Sequence, residues 1–154
     1  MNKTELIISN QSRTKISEVY LYEIFGRFLK FESKIISRML GKRKGVINLI
    51  FIGNKRMKDL NFAYRNKNKT TDVLSFAFMK DADIEFRDFG DLAVLGDIYI
   101  SIPMAKKQAS THCHDIKKEI NILFTHGLLH VIGFDHNTDK EEKLMEKEAL
   151  KILK

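Results

Sequence analysis

A chain of 154 residues with 44% hydrophobic side chains is long enough for one domain with its own core, and this composition excludes intrinsic disorder. A lone cysteine, Cys113, excludes an intrachain disulfide and fits a reducing, cytoplasmic compartment; no run approaches the ~20 apolar residues of a membrane span, and the N-terminus does not resemble a signal peptide. The formal net charge of +7 favours a polyanionic partner such as RNA, against the plainer alternative of a lysine-rich surface that aids solubility.

Leu6-Ile7-Ile8, followed by a polar cluster, predicts a short first strand. Residues 15–40 carry Ile16, Val19, Tyr20, Ile24, Phe28 and Ile35 at helical spacing, in one long helix or two. Gly41 to Gly45 break that pattern, and residues 46–52 are a β-rich run expected as a central strand. Residues 55–65 predict a short helix packing through Met57, Leu60 and Phe62 or Tyr64, and residues 66–71 a polar loop. Strands are expected at 73–78 and 96–101, with a charged surface excursion or hairpin at 81–95 between them. Pro103 suits a helix start. Residues 115–132 predict a strongly apolar helix ended by Gly133, and residues 139–153 an amphipathic one facing inward through Leu144, Met145, Ala149 and Ile152. Helices flanking several strands indicate an α/β (α+β) single domain over residues 1–154, with about four strands in a mixed sheet and about five helices.

The chemistry concentrates in residues 125–136. His126 and His130 stand four apart, which on a helix is about 40° around and one turn along, so both imidazoles can meet one ion. Gly133 can adopt the left-handed conformation that ends a helix and turn His136 back toward the pair. Three of the five histidines in the chain lie in this one motif, and three neutral imidazoles suit one Zn²⁺ per chain at the end of the central helix. The spacing equals that of the metzincin proteases, but Gly127 stands where their general-base glutamate would be, which disfavours peptide hydrolysis.

A structural zinc would take a fourth protein ligand. Cys113, with His112 and His114 beside it, lies thirteen residues before His126, or on the order of 15–20 Å away along a helix at ~1.5 Å per residue. That trio therefore reads as a loop or helix cap, and Glu119 as an ion-pairing residue two turns from the site. Three ligands leave a position for water, so the expected chemistry is hydrolysis by zinc-activated water.

These motifs carry a resemblance. His126-Gly127, Leu129-His130, Gly133 and Asp135-His136 resemble the signature of the YbeY-type endoribonucleases, bacterial rRNA maturation factors. So do Arg65 with Thr71-Asp72-Val73-Leu74-Ser75-Phe76, the block Gly96 to Ser101, and Met145 with Glu148 in the last helix. Thr70 and Thr125 depart mildly, standing where proline and valine are frequent. The resemblance implies a cytoplasmic, metal-dependent endoribonuclease specific for single-stranded RNA. It would act in 16S rRNA 3'-end processing and ribosome quality control, with a ribosomal subunit or ribosomal proteins as partners. It also raises Arg65 from a surface arginine to a phosphate-stabilising residue, making Arg65, His126, His130 and His136 the expected catalytic set. Two other readings stay open: a metal-dependent peptidase or amidase, and a non-catalytic ribosome-assembly factor with a structural zinc.

Overall fold

The apolar runs become the centre of a mixed sheet in a computed structural model, which describes residues 3–79 and 88–154. The strands are β1 (Thr4–Asn10), β2 (Lys44–Ile52), β3 (Val73–Ala77), the two-residue β4 (Asp88–Phe89) and β5 (Leu92–Ser101). The helices are α1 (Val19–Phe31), α2 (Ser33–Leu40), α3 (Asn54–Arg65), α4 (Ile102–Thr111), α5 (Ile116–Val131) and α6 (Asp139–Leu153). Four strands run in the order β1-β2-β5-β3, and β4 pairs with the start of β5. β1, β2 and β5 are parallel; β3 and β4 are antiparallel to β5.

Parallel neighbours need a crossover, and α1 with α2 supply the one between β1 and β2. Residues 15–40, expected as one long helix or two, hold two helices, which meet at the buried Glu32. β2 is apolar nearly throughout because both of its faces are covered. Ile47, Leu49 and Phe51 enter the main core, built with α1, α2, α4, α5 and α6, while Ile52 joins Met57 and Leu74 in a smaller cluster under α3.

Three expected core positions lie outside it. α6 buries Met145 and Ile152 with Ala149 along one stripe, and Leu144, about 100° away, is half exposed. α1 buries Leu21, Ile24, Phe25 and Phe28, which leaves Val19 outward. α3 packs through Met57 and Leu60, whereas Phe62 and Tyr64 are both exposed.

β5 begins at Leu92, four residues before the expected start. Val46 pairs with Val94 but Ile47 pairs with Gly96, so Leu95 is an extra, bulged residue. Buried positions consequently shift from Ala93 and Leu95 to Ile98 and Ile100, and the period-two pattern that signals a strand is broken. Of the expected excursion at 81–95, residues 88–95 form β4 and the start of β5 with the turn between them, and residues 81–87 lie outside the described residues.

Candidate metal centre

α5 carries the site because it can lie flat on the sheet. A Cβ at Gly127 would stand 2.7 Å from Ile98 Cγ2 and 3.1 Å from Ser75 Oγ; one at Gly96 would stand 2.3 Å from the Phe76 carbonyl oxygen. These glycines let α5 touch β3 and β5. The contact at Gly127 also leaves no room for the glutamate of a metzincin.

The helix ends in a Schellman turn. Gly133 N–H donates to the His130 carbonyl and Phe134 N–H to that of Leu129, each at 3.0 Å, with Gly133 at φ +105°. Asp135 then accepts from the backbone N–H of His136 at 2.8 Å and from the Asn137 amide at 3.0 Å. Thr138 caps α6, accepting from Glu141 N–H, and the Glu141 carboxylate accepts from Asn137 N–H.

The outcome is the expected triangle. Ring centroids lie 4.6 Å apart for His126 and His130, 5.6 Å for His126 and His136, and 5.2 Å for His130 and His136. The Nε2 atoms of His126 and His130 are 3.1 Å apart, and one nitrogen of each ring lies within 4.8 Å of the others. Burial, then the neighbouring His130 and His136, push His126 down to about 4, while the Asp72 charge opposes the shift. His126 is therefore deprotonated at neutral pH and presents a lone pair, as a metal ligand must. The donor set fits a transition metal of the zinc type.

The triangle opens on a cavity of about 920 Å³ that Arg65, Lys67, Lys69 and Asp72 also line. Arg65 ends α3, and its Nη2 donates to the Ser75 carbonyl at 3.1 Å with the guanidinium 5.8 Å from the Phe76 ring centroid. The fold thus brings Arg65 to the same cavity as the three histidines. The loop between them is tied down: Asn61, buried in α3, donates to the Lys69 carbonyl at 2.8 Å, and Asp72 accepts from Val73 N–H at 2.8 Å. Asp72, left outside the catalytic set on sequence grounds, faces His126 electrostatically. Its sequence signals are its place just before a strand and its membership of the Thr71–Phe76 block that resembles the family.

The second histidine group stays at the other end of α5. His112 is the C-cap of α4, as a helix-cap assignment expects, and Asp115 caps α5 by accepting from Lys118 N–H at 2.8 Å. His112 and His114 both converge on Glu119, so that carboxylate is hydrogen-bonded to histidines at the opposite end of the helix.

No helix among the described residues is long and apolar enough to cross a membrane. The sequence matches the model of the Endoribonuclease YbeY family over residues 7–154. It is 40% identical over 109 residues to Endoribonuclease YbeY of Geobacillus sp. (strain WCH70), covering 70% of each chain. It is also 40% identical over 124 residues to Endoribonuclease YbeY of Aster yellows witches'-broom phytoplasma, covering 80% of this chain and 82% of that one. The solution structure of TM1509 from Thermotoga maritima aligns over 96% of this chain and 89% of that one, at 19% identity and a TM-score of 0.49. With its histidine triangle in place and the match running to its last residue, this chain belongs to the Endoribonuclease YbeY family.

Proposed function

We propose that the chain is a zinc-dependent endoribonuclease that cuts single-stranded RNA and serves rRNA maturation, including 16S rRNA 3'-end processing, and ribosome quality control in the cytoplasm. One observation carries the proposal: three convergent imidazoles open into the same cavity as Arg65, Lys67 and Lys69. The family supplies the ribosomal part, with a ribosomal subunit or ribosomal proteins as partners. When bound by His126, His130 and His136, zinc supplies Lewis acidity toward a phosphodiester and an acidified water.

The rest is done by side chains of this chain. Arg65 has five N–H donors in a planar fork. Its bond to the Ser75 carbonyl holds that plane against the cavity wall, which suits the fork to two phosphate oxygens. There it offsets negative charge as the phosphorus gains a fifth oxygen. Lys67 and Lys69 add phosphate contacts that give affinity without sequence choice. Tyr64 lines the same cavity, 67% exposed and edge-on to Phe76, and offers a surface to an unstacked base. That supports a single-stranded substrate.

The peptidase alternative needs a carboxylate base after the first histidine, and the contact of Gly127 with Ile98 disfavours it. A structural zinc needs a fourth protein ligand, whereas the cluster of donors among the described residues has three members.

The test is cleavage of one RNA as single strand and as duplex by wild type and His130→Ala, each with measured zinc content. Wild type should cut the single strand and spare the duplex; His130→Ala should lose both zinc and cleavage. A zinc-loaded wild type that leaves the single strand intact would sink the proposal, and cleavage of a peptide library would favour the peptidase.

A further inference from the structure

The corner between α4 and α5 holds a second convergence of metal-binding groups. α4 ends at Thr111, Cys113 takes φ +56°, and α5 begins at Ile116. This reversal lays His112 and His114 over the first turn of α5, where Glu119 projects. His112 Nδ1 is 3.5 Å and His114 Nε2 2.5 Å from the same Glu119 oxygen, Oε2. The three donor atoms all lie within 4.8 Å of one another. Burial is graded across the cluster: side-chain exposure is 4% for Glu119, 15% for His114 and 57% for His112. The carboxylate forms the floor and His112 the mouth, so an ion can enter from solvent.

We propose that His112, His114 and Glu119 form a second site for a divalent transition metal of the zinc type, separate from the family's histidine triangle. Two imidazoles and a carboxylate are a recognised donor set for zinc. On binding, each imidazole ligates as the neutral tautomer that carries its proton on the other ring nitrogen, the His114–Glu119 hydrogen bond is given up, and the three donors open to about 2.0–2.2 Å from the ion. The cation then neutralises a buried carboxylate and joins the end of α4 to the start of α5. The second site is weaker than the first. An ion must open the 3.1 Å contact between His126 and His130 in the triangle too, but the contact of His114 with the Glu119 carboxylate is closer, and a hydrogen bond to a carboxylate is the stronger one to give up.

Zinc titration of the purified protein, with bound metal counted by mass spectrometry, tests this independently of any RNA activity. Wild type should take up a second equivalent after the first. His112→Ala, at the exposed mouth, should lose the second equivalent and keep the first, which also shows that the variant folds. His126→Ala should do the reverse, and excess zinc should raise its melting temperature but not that of the His126→Ala, His112→Ala double variant. A wild type that saturates at one zinc, or a His112→Ala protein that still holds two, overturns the site.

Discussion

The two ends of α5 carry the same kind of side chain and different chemistry. At the C-terminal end three imidazoles face one another, with Nε2 atoms of two of them 3.1 Å apart, beside an open basic cavity. At the N-terminal end two imidazoles face a buried carboxylate at a corner between helices. A histidine takes its role from what shares its space. Imidazoles facing imidazoles meet only through ring nitrogens, while a carboxylate accepts hydrogen bonds from both of its histidines, so that corner holds together without an ion and takes one only at the cost of those bonds. The cavity adds the second difference: the arginine and lysines that a phosphodiester needs converge at the C-terminal end.

Substitutions at four positions break or sharpen that contrast. The largest effect is expected from Arg65→Ala, which tests whether the proposed metal centre at the C-terminal end is also catalytic. Single-turnover cleavage at saturating RNA should fall by roughly 10²–10³-fold, with zinc content normal, because the contact is made to charge that grows in the transition state. Arg65→Lys should restore only part, since an ammonium lacks the fork. Full-rate cleavage by zinc-loaded Arg65→Ala would leave Arg65 a surface base that aids binding at low salt.

Gly127→Ala comes next. Alanine favours a helix over glycine by about 1 kcal/mol. Here its Cβ would meet Ile98 Cγ2 at 2.7 Å, and overpacking costs about 1–3 kcal/mol. The denaturant midpoint should therefore fall. A raised midpoint would mean that α5 lifts from the sheet without loss, and that room for a glutamate after His126 exists.

Gly133→Val removes no ligand but strains the turn at φ +105°. Zinc affinity should weaken roughly tenfold, because a β-branched residue at positive φ costs about 1–3 kcal/mol and His136 moves out to escape it. Wild-type affinity in a zinc titration would show that His136 is not held by that turn.

The smallest effect concerns another buried carboxylate, one with no imidazole partner. Burial, then the hydrogen bond and charge of Glu148, raise Glu32 from 4.5 to about 7, against the opposing charge of Lys151. The folded state therefore holds more protons than the unfolded state between pH 4.5 and about 7, and stability falls as pH rises through that window. Glu32→Gln should be more stable than wild type at pH 8 by about 1 kcal/mol, with the advantage gone at pH 4. Melting curves at the two pH values decide it; a pH-independent difference would assign the effect to packing instead.

Much of the metal centre was legible in the chain because it is local. His126, His130, Gly133 and His136 sit on one helix and its terminal turn, and helix geometry with glycine's freedom at positive φ is enough to converge them. The span of α6, expected and found at 139–153, was legible for the same reason, since Met145, Ala149 and Ile152 repeat at helical spacing. Arg65 was harder. Nothing local tells that residues 65 and 130 line one cavity; the resemblance singled Arg65 out, and the sheet brings the two together through β3, which pairs with β5 under α5. The start of β5 was misjudged because the bulge at Leu95 erases the alternation on which a strand is recognised.

Local spacing by itself determined which imidazoles converge and where α5 ends, because hydrogen bonds within one turn set those distances. Composition and apolar periodicity determined an α/β chain with helices over a largely buried sheet. Tertiary structure alone decided that the arginine and lysines share the cavity of the histidines, that Gly127 is a contact with Ile98 and Ser75 as well as a gap in a protease motif, and that Glu119 closes on His112 and His114. Each of these depends on segments distant along the chain or across a helix corner, and only the packing of α5 on β3 and β5 and the reversal at Cys113 fix those distances.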